Sequence, residues 1–330
     1  MRAHPTRAIV TAVCAVVLAS LVGCAPTGDE STEVEGVIVS TNPELATDPE
    51  IPVVSDLEYG AVDGQPLLLD ACTPPDFDPL VDAARASIVL VHGGSWARGS
   101  KDDIAWRAVC QWLARSGYPT FNVDYRLAPQ NPYPAAIDDI VTAVEWLRET
   151  EQVERFGLDP DRIGAFGGSA GGNLVSLLGT RSNGDLDGGA RVAAVVELSA
   201  PIDLTGVAVT DDFAPVQLAY LGCVDAAACP NAAAASPNTW VDESDPPFFV
   251  AHSTDEMIPL AQAELFVRTL RDAGVDTTFV TVTGTLHSLA MIDADLKERI
   301  LDFYAKTLAP VELPQEPATD QADAVAGTTP

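Results

Sequence analysis

Apolar, β-rich runs alternate with amphipathic helical stretches between Leu57 and Pro310, and this predicts an α/β fold with a mostly parallel central sheet and helices on both faces. Two further observations agree. The chain is 47% apolar and 20% charged, enough for a sizeable core and too apolar for wholesale disorder. A glycine-rich turn, Gly167-Gly168-Ser169-Ala170-Gly171-Gly172, stands where a strand should end and a helix begin. The 330 residues are read as one folded domain over 53–310 rather than two.

The elements follow in order. Val53–Tyr59 and Gln65–Ala71 are β-rich and joined through Val62-Asp63-Gly64, a hairpin signal that is compatible with a parallel sheet. Strand Ala86–Val91 precedes helix Asp102–Arg115, and strand Pro119–Asp124 precedes helix Ala135–Glu149. In that second helix Ile137, Ile140, Val141, Val144 and Leu147 recur at three- and four-residue spacing, so one face must be buried. Arg162–Phe166 leads into helix Ala170–Gly179, and Val192–Leu198 is a further strand. The stretch 201–245 breaks the alternation and is expected to form an excursion above the sheet. Strand Pro247–Ala251 with helix Leu260–Ala273, and strand Thr277–Val282 with helix Ala290–Leu308, complete the pattern.

With 48 acidic against 18 basic residues the formal charge is −30, which argues against a nucleic-acid partner. The acid is unevenly spread. Nine acidic residues and no base lie between Cys24 and Gly60, and four more, again without a base, follow Val311. Residues 24–52 and 311–330 therefore read as a solvated, disordered acidic linker and tail.

Arg2 and Arg7 precede an uncharged stretch from Ala8 to Val22. Fifteen helical residues cover roughly 22 Å, short of a ~30 Å hydrocarbon core, so residues 1–23 read as a signal peptide rather than a spanning helix. Leu21-Val22-Gly23-Cys24 resembles the bacterial lipobox. That resemblance implies lipidation of Cys24, cleavage before it, and an extracytoplasmic protein held on the bacterial cell membrane by acyl chains. With Cys14 lost and Cys24 acylated, Cys72, Cys110, Cys223 and Cys229 remain. An even number in an oxidising compartment suggests two disulfides. Cys223 and Cys229 enclose five residues and are expected to staple one loop, leaving Cys72 to Cys110; four cysteines allow three connectivities, and four reduced buried thiols are the alternative.

Gly-x-Ser-x-Gly at a strand-to-helix turn is a nucleophile elbow. Glycine is needed at 167 and 171 because a Cβ would meet the neighbouring backbone, while Ser169 projects its hydroxyl from a strained conformation at a helix N-terminus. His92-Gly93-Gly94-Ser95-Trp96 directly follows a strand. The negative oxygen of a tetrahedral intermediate needs preorganised N–H donors, and those of Gly93, Gly94 and Ala170 are assigned that role. His92 is read as fixing the loop. Of the other histidines, His4 lies in the leader, and His287 follows a strand in the position of a general base. The chain order nucleophile, acid, histidine then favours Asp255, with Glu256 and Asp225 as rivals for the acid, and His252 as structural. Ser169, Asp255 and His287 would support acyl transfer without metal or cofactor.

These segments resemble the α/β-hydrolase esterases, together with Asp124-Tyr125-Arg126-Leu127-Ala128-Pro129, Tyr133-Pro134-Ala135-Ala136-Ile137-Asp138-Asp139, and Pro246-Pro247-Phe248-Phe249-Val250-Ala251-His252-Ser253-Thr254-Asp255. Gly168 stands where the hormone-sensitive-lipase-like branch usually has Asp, and Ser95 where it has a third Gly. The feruloyl/acetyl-xylan-esterase-like branch is thus the nearer likeness. The His-Gly-Gly-x-Trp motif is shared with kynurenine formamidases, whose cytosolic setting disagrees with a leader. The resemblance implies a serine carboxylesterase for short acyl or acetyl esters, with Tyr125 and Arg126 bracing the oxyanion loop. Trp96 and the 201–245 excursion are expected to shape the substrate pocket. Amide, peptide or formamide hydrolysis, and a non-catalytic cell-surface binding module, are the alternatives. Oligomeric state is left open.

Overall fold

In the computed structural model, residues 42–182, 184–186 and 188–310 are described. The expected leader at 1–23, Cys24, residues 24–41 of the linker and the 311–330 tail lie outside them. Eight strands form one sheet: β1 (Val53–Val62), β2 (Gln65–Cys72), β3 (Arg85–Val91), β4 (Thr120–Val123), β5 (Leu158–Gly168), β6 (Ala194–Leu198), β7 (Phe248–Ser253) and β8 (Thr277–Val282). Their spatial order is β1-β2-β4-β3-β5-β6-β7-β8. The opening hairpin and the β2–β4 pairing are antiparallel; all later pairs are parallel.

Helices α1 (Ile104–Arg115), α2 (Ala135–Leu147), α3 (Thr150–Phe156), α4 (Ala170–Arg181), α5 (Ala214–Leu221), α6 (Asn231–Ala234), α7 (Leu260–Asp272) and α8 (Ala294–Thr307) connect them. Strand β3 shows why the sheet is covered on both sides. Val89 and Val91 join one core cluster with Ile137, Ile140 and Val144 of α2, Leu174 and Leu178 of α4, and Phe266 and Leu270 of α7. Ile88 and Leu90, pointing the other way, join Val109 and Leu113 of α1 and Ile300 and Tyr304 of α8. Each such fully buried aliphatic side chain contributes roughly 1.5–3 kcal/mol, so the two layers hold the strand ends in fixed positions.

Three differences from the sequence reading alter the organisation. The linker expected over 24–52 ends earlier: Leu45 and Ile51 are buried, Arg115 binds Asp48 and Glu50, and the Asn42 amide donates to the carbonyls of Leu289 and Ile292 at 2.9 and 2.8 Å. Two apolar residues and one amide suffice to seat an otherwise acidic strap. Helix α3 was not expected, because only Gln152 and Phe156 of its seven residues are buried and no period can show. The helix expected over 290–308 is divided into a 3₁₀ turn, Ser288–Met291, and α8, which Asp293 opens by accepting from the N–H of Leu296 at 2.8 Å.

Disulfides join Cys72 to Cys110 and Cys223 to Cys229, with Cα atoms 5.9 and 5.6 Å apart. The first ties β2 to α1. The second closes a loop within the excursion, which also contains α5 and α6. Among the described residues no helix is long and apolar enough to cross a membrane.

Candidate active site

The end of β5 turns into α4 at Ser169, whose φ of 56° and ψ of −124° place a non-glycine residue in a strained region. Two glycines make the turn possible. A Cβ on Gly167 would lie 2.3 Å from the carbonyl oxygen of Gly171, and one on Gly171 would lie 2.2 Å from that of Val91. The turn is held by the Ser169 N–H, which donates to the carbonyl of Leu198 on β6 at 2.8 Å. Gly167, Gly168 and Ala170 are buried, while Ser169 keeps partial access to solvent.

The loop after β3 presses against this elbow. A Cβ on Gly93 would meet the Gly168 carbonyl oxygen at 2.9 Å and the Ser169 Cβ at 3.3 Å, so Gly93 runs directly beside the serine. Gly94 has φ +115° and its carbonyl accepts from the N–H groups of Ala97 and Arg98, closing a turn. Ala170 opens α4, and N–H groups in a first turn have no intrahelical acceptor. Gly93 and Ala170 thus flank the serine, and Gly94 is the next residue of the same loop.

His92 is fully buried, stacks on Tyr125 with centroids 4.3 Å apart, and donates from Nδ1 to the Gly93 carbonyl at 2.7 Å. Burial pushes it down to about 4, so it stays neutral while its ring holds the loop. The Tyr125 hydroxyl donates to the His92 carbonyl at 3.0 Å. Arg126 holds the buried carboxylate of Asp139 through Nε and a terminal nitrogen at 2.9 and 2.7 Å, which ties the same segment to α2. Both residues therefore brace the loop. The loop's far end is fixed by Lys101, whose Nζ sits 2.8 Å from Asp56 and 3.0 Å from the buried Asp70.

His287 stands at the start of the 3₁₀ turn following β8. Its neighbour Ser288 packs on the elbow: a Cβ on Gly168 would lie 2.1 Å from Ser288 Oγ and 3.3 Å from the ring of Trp106. An aspartate at position 168 would have to displace the Ser288 hydroxyl. The Ser288 N–H is held by Ser199 Oγ at 3.0 Å, and Ser253 Oγ donates to the Leu286 carbonyl at 2.5 Å, so the loop is anchored on both sides of the histidine.

The partner of His287 Nδ1 is Oε2 of Glu256, a carboxylate with no exposure. Asp255 does not fill the expected role. It is exposed, accepts from Thr254 Oγ1 at 2.7 Å, and its N–H donates to the Gly284 carbonyl. That pairing turns Asp255 toward solvent and leaves the next residue to point inward. Asp225, the other rival, only caps the Ala226–Ala228 turn. Behind Glu256 lie two residues that sequence reasoning did not select together, His252 on β7 and Glu197 on β6. Glu197 is signalled only by being acidic inside an otherwise apolar strand.

Trp96 also departs from expectation. Left-handed backbone at Ser95 and Trp96, each with φ 57°, turns the indole into the body, where it is fully buried and stacks on Tyr220 of α5 at 4.2 Å. It joins the loop after β3 to the excursion and presents no open surface.

The sequence profile of the BD-FAE family matches residues 78–270. The esterase LipQ of Mycobacterium tuberculosis is 31% identical over 260 residues, covering 75% of this chain and 59% of LipQ. The chain thus spans somewhat over half the length of that relative. A truncated carbohydrate esterase from gut microbiota superposes with a TM-score of 0.68 at 20% identity, over 80% of this chain and all of that one. Esterase 2 of Thermogutta terrifontis, with propionate bound, gives 0.62 at 24% identity over 79% and 94%. These two likenesses speak for the fold alone. With its profile matched over more than half the sequence, around a serine elbow set in an α/β-hydrolase sheet, the chain belongs to the BD-FAE family.

Proposed function

We propose that the chain is a serine carboxylesterase that hydrolyses short-chain acyl or acetyl esters through an acyl-enzyme. One observation carries this reading: the strained Ser169 lies against Gly93 of a braced glycine loop, while the residue next to His287 packs on the residue next to Ser169. The names of the LipQ relative and of the two structural neighbours support the same reaction class.

In this mechanism His287 takes the Ser169 proton on Nε2 as the serine oxygen attacks the ester carbonyl carbon. Glu256 holds Nδ1–H and stabilises the imidazolium that results. The carbonyl oxygen, now negative, accepts from the N–H groups of Gly93, Gly94 and Ala170, each worth up to about 3–4 kcal/mol in such sites. Collapse breaks the bond to the alcohol oxygen, which leaves with the proton from His287. Water then attacks the acyl-enzyme, again deprotonated by His287, and releases the acid. The formal charge of −30 favours a neutral substrate.

Ser169→Ala is expected to lower turnover of p-nitrophenyl acetate by roughly 10⁴-fold or more and to abolish labelling by a fluorophosphonate. Retained turnover or labelling would refute the assignment. We further infer an extracytoplasmic, lipid-anchored enzyme, a reading supported by the leader-like segment, Cys24 and the two disulfides. Cys24→Ser should remove the protein from the detergent phase of a phase-partition experiment; unchanged partitioning would count against the anchor.

A further inference from the structure

The carboxylate of Glu256 has a second histidine beside it. His252, the penultimate residue of β7, is fully buried, with Nε2 2.9 Å from the Ile258 carbonyl oxygen and 3.1 Å from Glu256 Oε1. The other oxygen of that carboxylate meets His287. Both neighbours of His252 Nε2 are acceptors, so this nitrogen carries the hydrogen. Nδ1 has no partner among the described residues and is the bare one. The hydrogen aims at the Ile258 carbonyl and reaches Glu256 Oε1 off its axis. Among the described residues Oε1 has no aligned donor, and His252 Nε2 at 3.1 Å is an off-axis polar neighbour to it.

The charges around this contact are arranged consistently. Glu197 pairs with Val250 across β6 and β7, which places it diagonally from His252 on one face of the sheet. It is fully buried; burial, with the Glu256 charge adding to it, pushes its carboxyl up to about 8, so it is neutral at pH 7. Burial likewise lowers His252, against the opposing influence of the Ile258 carbonyl and Glu256, with His287 lowering it further. Glu256 thus lies between two histidines, with His252 beside Oε1 and His287 at Oε2.

We propose that His252 is a positioning residue for the esterase reaction inferred above: a neutral imidazole, hydrogen on Nε2, that holds Glu256 through Oε1 so that Oε2 stays aimed at Nδ1 of His287. The proposal rests on that esterase reading, and its test separates the two. His252→Leu removes the N–H, whereas His252→Gln returns an amide N–H near the place of Nε2. On the full chain, the Leu variant is expected to lose about tenfold or more in kcat for p-nitrophenyl acetate with KM within about twofold. The acidic limb of its kcat/KM profile should move up by roughly half a pH unit, because a carboxylate that has lost its donor holds the imidazolium of His287 more tightly. The Gln variant should recover kcat to within about threefold of wild type and restore the limb.

A Leu variant with unchanged kcat and limb overturns the proposal, and so does a Gln variant as impaired as Leu. Should the Leu variant not fold, nitrogen-15 NMR of the wild-type histidines decides. His252 as a neutral Nε2–H ring through the active pH range upholds the proposal; hydrogen on Nδ1, or protonation of the ring in step with loss of activity, overturns it. A wild-type chain that neither hydrolyses ester nor takes a fluorophosphonate on Ser169 defeats the esterase reading instead, and the tautomer measurement still decides the His252–Glu256 contact.

Discussion

The elbow and the acid loop are built on opposite principles. Around Ser169, van der Waals exclusion dictates residue type: at 167 and 171 a single extra carbon would come within 2.4 Å of a backbone oxygen. Around His287, only the direction of a carboxylate matters, and neighbouring acids at 255 and 256 are equivalent until a hydrogen bond from Thr254 sends one outward. Steric necessity writes itself into sequence; orientation does not. The first region can be read residue by residue, the second only to within one position.

The sharpest test of this contrast sets the two acids against each other. Glu256→Gln should lower kcat by roughly 10²–10⁴-fold, since the amide cannot stabilise the imidazolium and disturbs its tautomer. Asp255→Asn should leave kcat within about threefold, being an exposed substitution away from buried partners. Ester hydrolysis by both variants checks this, and the reverse ranking would return the acid to Asp255.

The elbow should break in stability rather than chemistry. Gly171→Ala places a methyl 2.2 Å from the Val91 carbonyl oxygen and should cost about 3 kcal/mol or more. Gly206→Ala, where a Cβ meets nothing within 4 Å, should stay within about 0.5 kcal/mol. Urea unfolding followed by circular dichroism measures both.

A third test reads a pH dependence, that of Glu197. Its carboxyl is raised to about 8 in the folded chain from an ordinary 4.5, so the native state holds a proton that the unfolded chain releases. Its contribution is full below pH 4.5 and is lost as pH rises toward 8. Glu197→Gln should flatten that part of the profile, making the fall in Tm between pH 5 and pH 8 smaller than in wild type. An unchanged fall would mean that Glu197 is ionised when buried.

The fold was legible for a related reason. The continuous apolar run at 86–91 and the 3.6-residue period of α2 announce burial on two faces and on one, which gives a mostly parallel sheet with helices on both sides but not its strand order. What escaped was decided by few residues or by distant ones. Helix α3 buries two side chains, the strap at 42–52 depends on an amide reaching residues nearly 250 positions away, and Trp96 turns inward because Tyr220 receives it. Each is a tertiary contact without a local period. Cysteine pairing was an intermediate case, since the short 223–229 loop left one remaining pair.

The Asn42 clamp has a mechanical consequence. Its amide grips the carbonyls of Leu289 and Ile292, two and five residues past His287. A pull applied along the chain ahead of residue 42 would enter the fold there, behind the histidine, rather than at the hairpin edge of the sheet. Tension would be borne first by two hydrogen bonds and the seats of Leu45 and Ile51, so the loop that carries His287 doubles as the mooring point of the 42–52 strap.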